Sequence, residues 1–450
     1  MIQRSSHYIL FSWVILLYLI EIFFPVPYIN DVLAGSTIVL FLLSFPYAST
    51  LFKILAAVFT TAGFFFIFFY SLPTGELYLY VNENLSLLAL LFMLPWMNSV
   101  VRAGRYDRKI NTLLSANVND LGKLYQRASV TSYILVAFIN LSALSLSQGV
   151  LRDNLQRFDR KLQQSFIAQT TLRAFAVALC WSPMEILVAI SVDATGVSYF
   201  SMLPWLMLVS FLTLTIDGFI GRYRYRKTAY SQQNNGGSVK QILKPMVTLF
   251  TALSLFLASI VIIGNLFGFD FILTVTLVIF PFAFTWAVLG RRRRSFLWIG
   301  VPLWKERNSH MQNFILLFVS LAFFSTTLNE TPLLEMVQDP FLAMGETPWI
   351  VLFMIQLTYL AMSMIGIHPI ATIAVLIEAV SPLFSIANPL SFSIVFVSGA
   401  LATATVGTYG VTVTMTAMNT QQNPYRITWM NMPFALLYGT IGTITAILLL

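Results

Sequence analysis

Two short stretches put helix-breaking and ionisable residues where a membrane helix would carry apolar ones: CWSPME at 180–185 and GIHP at 366–369. Each proline removes a backbone N–H, clashes with the preceding turn and pushes the residue before it out of helical geometry. In hydrocarbon each unsatisfied backbone group costs several kcal/mol, so such a break must face a cavity, a neighbour or an ion. Half-helices that meet at mid-membrane offer a positive N-terminus suited to an anion and bare carbonyls suited to a small cation. Ser182, Pro183, His368 and Pro369 are therefore candidate substrate-binding residues. A simple proline kink is the alternative at either position. His368 would serve as a proton carrier or substrate contact, or would be a neutral ring bonded to nearby backbone. Glu185 and Glu378 lie inside the same apolar runs, and ionisable groups there are functional candidates by default. They form the expected ion-coupling set, together with Gly366 and Gly407 as points of bare backbone.

A third stretch, SGALATATVGTYGVTVTMTAMNTQQNP (398–424), has seven threonines, three glycines (Gly399, Gly407, Gly410) and no charge. Small and hydroxylated residues let backbones approach and supply oxygen ligands, so Thr405 and Thr408 join the substrate-binding set. Tight helix packing is the competing explanation. Asn419 and Asn423 are expected at the outlet of this path. Asn140 in FINLSALSLS (138–147) and Ser325 in FVSLAFFSTT (318–327) complete the candidates. Asp193, before ATG, is expected at the membrane surface, and Asp217, near Arg222, in an interfacial ion pair.

The elements that must hold these residues are membrane helices. The 450 residues are 58% hydrophobic and 10% charged, against about 25% charged in soluble domains. Mean hydropathy is +0.79. Runs near the length needed to cross about 30 Å of hydrocarbon recur along the chain. Period-2 alternation is absent over most of it, which argues against a barrel. The expected fold is all-α and polytopic, with about 11–13 transmembrane segments. The run from Tyr8 to Phe24 has no cleavage site after it and is expected to be the first span. The net charge of +8 sits in short loops between apolar runs, where it orients a membrane protein and does not suggest nucleic acid. A single cysteine, Cys180, excludes an intrachain disulfide. There is no nucleotide-binding loop, the three histidines (His7, His310, His368) are scattered, and no catalytic constellation stands out. The chain is expected to be neither an enzyme nor a metalloprotein, with no cofactor beyond a coupling Na⁺ or H⁺.

The positive-inside rule places 101–127, 221–244 and 290–307 in the cytoplasm, and with four spans before residue 101 the N-terminus as well. SQQNNGGS (231–238) reads as a flexible linker. Segment 329–346 has four acids and no Lys or Arg, and is assigned outside. Segment 151–165 carries four basic residues and also reads as cytoplasmic. The apolar run 130–147 before it would then enter and return on one side, unless it is an ordinary span with a basic outer loop. The expected division is 1–127 scaffold, 128–221 first core, 222–307 scaffold and 308–450 second core.

An internal repeat is expected. FINLSALSLS aligns with FVSLAFFSTT at an offset of 180, and Ser182-Pro183 with His368-Pro369 at 186. Pro204 falls beside Pro389, and Glu378 falls on Val192. The segment entering the first break is basic and the one entering the second is acidic, so the halves would run in opposite directions, as in duplicated transporters.

With a re-entrant segment, a helix broken at CWSP and a second break at GIHP, the chain resembles the ion transporter superfamily over roughly 130–220 and 310–420. That group includes divalent anion:sodium symporters, dicarboxylate carriers and arsenite carriers. The Ser-Asn-Thr signatures usual at its hairpin tips are absent here. The resemblance implies two inverted halves, a moving transport domain and a separate scaffold (8–101 and 243–289), and is compatible with a homodimer. The expected function is secondary transport of a small organic or inorganic anion across the cell membrane, coupled to Na⁺ or H⁺. The alternatives are a polymerase or flippase of envelope polysaccharide or lipid, which would call for a large outer loop and an Arg–acid cluster at one face, and a membrane subunit that needs a partner.

Overall fold

A computed structural model describes residues 7–73, 75, 77–104, 118–230 and 239–450. Residues 105–117 of the basic segment 101–127, and the linker 231–238, lie outside the described residues. The protein is an all-α polytopic membrane protein. Among the described residues it has nineteen α-helices and no strand. Eight helices are long and apolar enough to cross a bilayer, and five shorter apolar helices accompany them.

The first group is α1 (His7–Phe23), α2 (Pro27–Ser44), α3 (Thr50–Tyr70) and α4 (Leu85–Ala103). Then come α5 (Leu121–Ile139), α6 (Leu141–Asn154), α7 (Arg160–Leu179), α8 (Ile186–Thr195) and α9 (Tyr199–Tyr225). A second group follows with α10 (Val239–Phe267), α11 (Phe271–Leu289), α12 (Arg293–Asn308), α13 (Gln312–Asn329) and the short α14 (Leu333–Leu342). The chain ends with α15 (Pro348–Met364), α16 (Pro369–Val380), α17 (Pro389–Ala402), α18 (Val411–Thr420) and α19 (Pro424–Ile447).

The order hairpin, interrupted helix, long helix thus occurs twice, as α5–α9 and as α15–α19. The caps explain the boundaries. Asp159 and Asn388 open the interrupted helices by accepting from Lys161 and Leu390 N–H, and Ser198 and Asn423 open the long helices by accepting from Phe200 and Tyr425 N–H. Both hairpins turn at a residue of positive φ, Asn140 (43°) and Gly366 (92°). Both interrupted helices end at another, Gly196 (65°) and Gln421 (52°).

The first hairpin starts and finishes at one end of the bundle. Leu121 and Leu124 of α5 and Leu151 of α6 share an apolar cluster with Phe166 of α7 and Tyr225 of α9. Segment 130–147 therefore holds a turn between antiparallel helices, not a single span. The second hairpin returns to the opposite end, where Gln338 of α14 donates to the Glu378 carbonyl at 3.0 Å and Asn388 to the Leu449 carbonyl at 2.8 Å. The interrupted helices lie antiparallel. At one end Arg160 of α7 donates to Gln421 just past α18 at 2.7 Å. At the other, the hydroxyls of Thr195 on α8 and Ser393 on α17 are 2.8 Å apart.

Three expectations need correction. The apolar run that contains GIHP (366–369) is not one broken span. The residues around His368 form the turn between α15 and α16, so the counterpart of His368 in chain order is the Asn140 turn. The counterpart of Ser182-Pro183 is 403–410, between α17 and α18. The matched spacing is therefore 226 (Asn140 to Gly366) and 225 (Gly196 to Gln421), not 186. Pro204 lies inside α9 whereas Pro389 is the first residue of α17, so these prolines do different jobs.

Candidate functional site

The first interruption, 180–185, is bolted to its neighbours. Hydroxyls of α9 donate to carbonyls at and just past the end of α7. Ser210 Oγ donates to the Val177 carbonyl at 2.9 Å and the Tyr199 hydroxyl to the Trp181 carbonyl at 2.6 Å. The Trp181 indole donates to the Tyr133 hydroxyl on α5 at 2.5 Å, and that hydroxyl lies 2.8 Å from Ser210 Oγ. Ser182 folds onto its own turn, its Oγ accepting from Met184 N–H at 3.4 Å. Pro183 completes the turn, and Glu185 is the N-cap of α8, placing a carboxylate at a positive helix end. Ser182 and Glu185 are both buried.

The second interruption, 403–410, satisfies itself locally. Thr403 Oγ1 donates to the Ala400 carbonyl, Thr405 Oγ1 to Ala402 and Thr412 Oγ1 to Ala404, at 2.5–2.9 Å. Thr408 reaches Thr428 of α19 at 2.9 Å. The turn of the second hairpin is seated on this segment. A Cβ at Gly407 would lie 3.0 Å from Ser363 Oγ, and one at Gly366 would lie 3.0 Å from the Tyr409 ring, so both contacts need glycine. The hydroxyls of Tyr359 and Ser363, one turn apart on α15, are buried there with no protein partner among the described residues. Tyr359 packs on Gly399 of α17.

Gly366, Gly407 and Thr408 are therefore brought together around the second interruption, with Thr405 in the same segment. Ser325 and Glu378 are also joined, the serine hydroxyl donating to the carboxylate at the α13–α16 contact. His368 stands apart. Its Nδ1 accepts from Ile370 N–H at 3.2 Å, capping α16, and its ring sits 5.6 Å from Phe52 and 6.2 Å from Phe314. Pro369 is the first residue of α16, where a missing N–H costs nothing. Ser182 and His368 contact different neighbours. Asn140 carries the first hairpin turn, and Ser142 just beyond it accepts from Arg102 of α4 at 2.9 Å. Asn423 is a helix cap, and Asn419 donates to Gln148 of α6 at 2.8 Å.

Asp217 does form an ion pair, but with Arg173 of α7 and not with Arg222: it is buried, with Arg173 at 2.7 Å on one carboxylate oxygen and the Tyr125 hydroxyl of α5 at 2.8 Å on the other. Arg173 also donates to Asn431 of α19 at 2.9 Å and lies over the Phe434 ring. This cluster ties one hairpin arm, one interrupted helix and both long helices. Arg173 was visible in the sequence as the one charge between Ser165 and Glu185, and intramembrane charge was its signal. The second cluster missed, Gln148 with Thr171 (3.1 Å) and Thr416 (2.7 Å), left no signal, because single Gln and Thr residues are common in packed helices.

No protein-family model matches the chain, and no curated protein matches it. Among solved structures, the crystal structure of the Alcanivorax borkumensis YdaH transporter, described as having an unusual topology, is similar with a TM-score of 0.58 at 13% identity. The match covers 83% of this chain and 87% of that one. At that identity the similarity is one of fold.

Proposed function

We propose that this protein is a secondary active transporter of the ion-transporter-superfamily kind, moving a small organic or inorganic anion by alternating access at the expense of a Na⁺ or H⁺ gradient. The observation that carries the proposal is the twofold occurrence of hairpin, interrupted helix and long helix, running in opposite directions with the interrupted helices side by side. We read the two modules as an inverted repeat. The paired positive-φ turns at 140 and 366, and at 196 and 421, support that reading.

Four helices, α6, α8, α16 and α18, begin at these interior turns and interruptions. Their helix dipoles give the interior a positive bias, which favours an anionic solute. The unpartnered hydroxyls of Ser363, beside the Gly407 backbone, and Tyr359, one turn away against Gly399, are oxygen donors of the kind that replace the water shell of a small cation. Coupling through that group would let the second hairpin close only when solute and ion are both bound.

The test is uptake into proteoliposomes of a panel of small mono- and dicarboxylates and oxyanions, with Na⁺ and pH gradients imposed separately. The expected result is gradient-dependent uptake of one anion class, lost in Gly407→Val while the protein remains folded. Folded protein that takes up none of the panel under either gradient would remove the proposal.

A further inference from the structure

The basic end of α9 carries a surface feature that solute movement through the bundle interior does not use. Phe219, Ile220, Arg222, Tyr223, Arg224 and Arg226 line an outward-facing groove of about 570 Å³. Phe219 and Tyr223 are 63% and 69% exposed, and the three arginines are exposed as well. α9 is 27 residues long, and at 1.5 Å per residue it measures about 40 Å. That exceeds the roughly 30 Å of hydrocarbon, so its last turns reach headgroup depth while Phe219 and Ile220 remain beside acyl chains.

The charge here is uncompensated. Among the described residues the ion pairs are Lys123–Asp120 and Arg173–Asp217, neither involving these arginines. Asp217, the acid on the same helix, is already shared between Arg173 and Tyr125. Arg222 donates to the neutral Gln126 at 3.2 Å, and Arg226 stacks over Tyr223 at 4.2 Å. With its amide turned to suit its neighbours, Gln169 takes Arg224 at 3.2 Å. Arg222 and Arg226, one helical turn apart, are left to meet an external anion beside an aromatic, apolar wall.

We propose that this groove binds an anionic phospholipid, with Arg222 and Arg226 on the phosphate and an acyl chain along Phe219, Ile220 and Tyr223. A soluble phosphate would use the arginines and leave the apolar wall bare. A second copy docked by twofold symmetry on this patch would set arginines against arginines. A zwitterionic headgroup would bring a fourth cation to a site that already holds three.

Native mass spectrometry of the detergent-solubilised protein, with dioleoyl-phosphatidylglycerol, dioleoyl-phosphatidylcholine or glycerol phosphate added, tests this. Wild type should retain phosphatidylglycerol in clear preference to phosphatidylcholine. The double variant Arg222→Gln, Arg226→Gln should weaken that retention about 30-fold, at roughly fivefold per interfacial arginine. Arg294→Gln, at an exposed arginine on α12, should leave it unchanged. Equal retention of the two lipids by wild type, undiminished retention by the double variant, or full competition by glycerol phosphate would each overturn the proposal. So would cross-linking of Tyr223→Cys between two copies in lipid, which would show that a protein surface covers the groove.

Discussion

The modules 121–225 and 348–447 share their order of helices and differ in how each interruption is held. In the first, the bonds that stabilise 180–185 come from other helices: Trp181 to Tyr133, Tyr199 and Ser210 back to the α7 carbonyls. The Arg173–Asp217 pair then ties the same helices at their basic end. In the second, threonines at 403, 405 and 412 bond carbonyls of their own segment, and Tyr409 is 62% exposed. Tyr133 and Tyr359 show the contrast in one pair, for they stand at matching positions 226 residues apart. The Tyr133 hydroxyl has Trp181 and Ser210 as partners, whereas the Tyr359 hydroxyl has none among the described residues. The first interruption is thus held mainly by bonds from other helices and the second mainly by its own threonines, with Thr408–Thr428 and Tyr409–Tyr425 as its side-chain bonds to α19.

Three sets of substitutions would break or sharpen that contrast, each read by thermal unfolding with a thiol-reactive dye on Cys180, the only cysteine and fully buried. The largest effect is expected at Arg173→Ala, which leaves Asp217 buried and unpaired at a cost of about 3–5 kcal/mol. Arg173→Met combined with Asp217→Leu should recover most of it, and failure to recover would mean that the cluster has a role beyond charge balance. Next is the hairpin turn. Gly366→Ala forces a side chain to φ 92° and against Tyr409, costing about 1–3 kcal/mol, whereas Asn140→Gly should be neutral or stabilising. The smallest is Tyr133→Phe against Tyr359→Phe. The first should cost about 1–2 kcal/mol by stranding the Trp181 indole, and the second close to nothing. Equal costs at the two tyrosines would remove the asymmetry.

Loop charge was the most informative part of the sequence. Basic residues on both sides of 130–147 left two readings, a segment that returns or an ordinary span with a basic outer loop, and the α5–α6 hairpin is the first of these. The prolines were less informative. Pro183 sits in a helix interruption and Pro369 at the head of a hairpin arm, yet both read as X-Pro within an apolar run. The local rule that proline disfavours helix before it holds in both cases, and it carries no information on whether the chain continues or reverses. Aligning the two prolines therefore pairs a helix interruption with a hairpin turn. The second interruption in chain order, 403–410, contains no proline and breaks through glycine and threonine instead.

By itself the sequence determined that this chain is helical and lives in a bilayer, because apolar run length and low charge admit little else. It also marked 180–185 and 366–369 as places where the backbone leaves the helix, without saying whether the chain there continues or reverses. Tertiary structure alone decided that Ser325 meets Glu378, that Arg173 meets Asp217, and that His368 caps a helix between two phenylalanines. These pairings join residues 44 to 53 positions apart, or far more in the case of Phe52. In lipid such partners are selected by shape and by the need to satisfy every buried polar group, and neither constraint is written in the spacing along one chain.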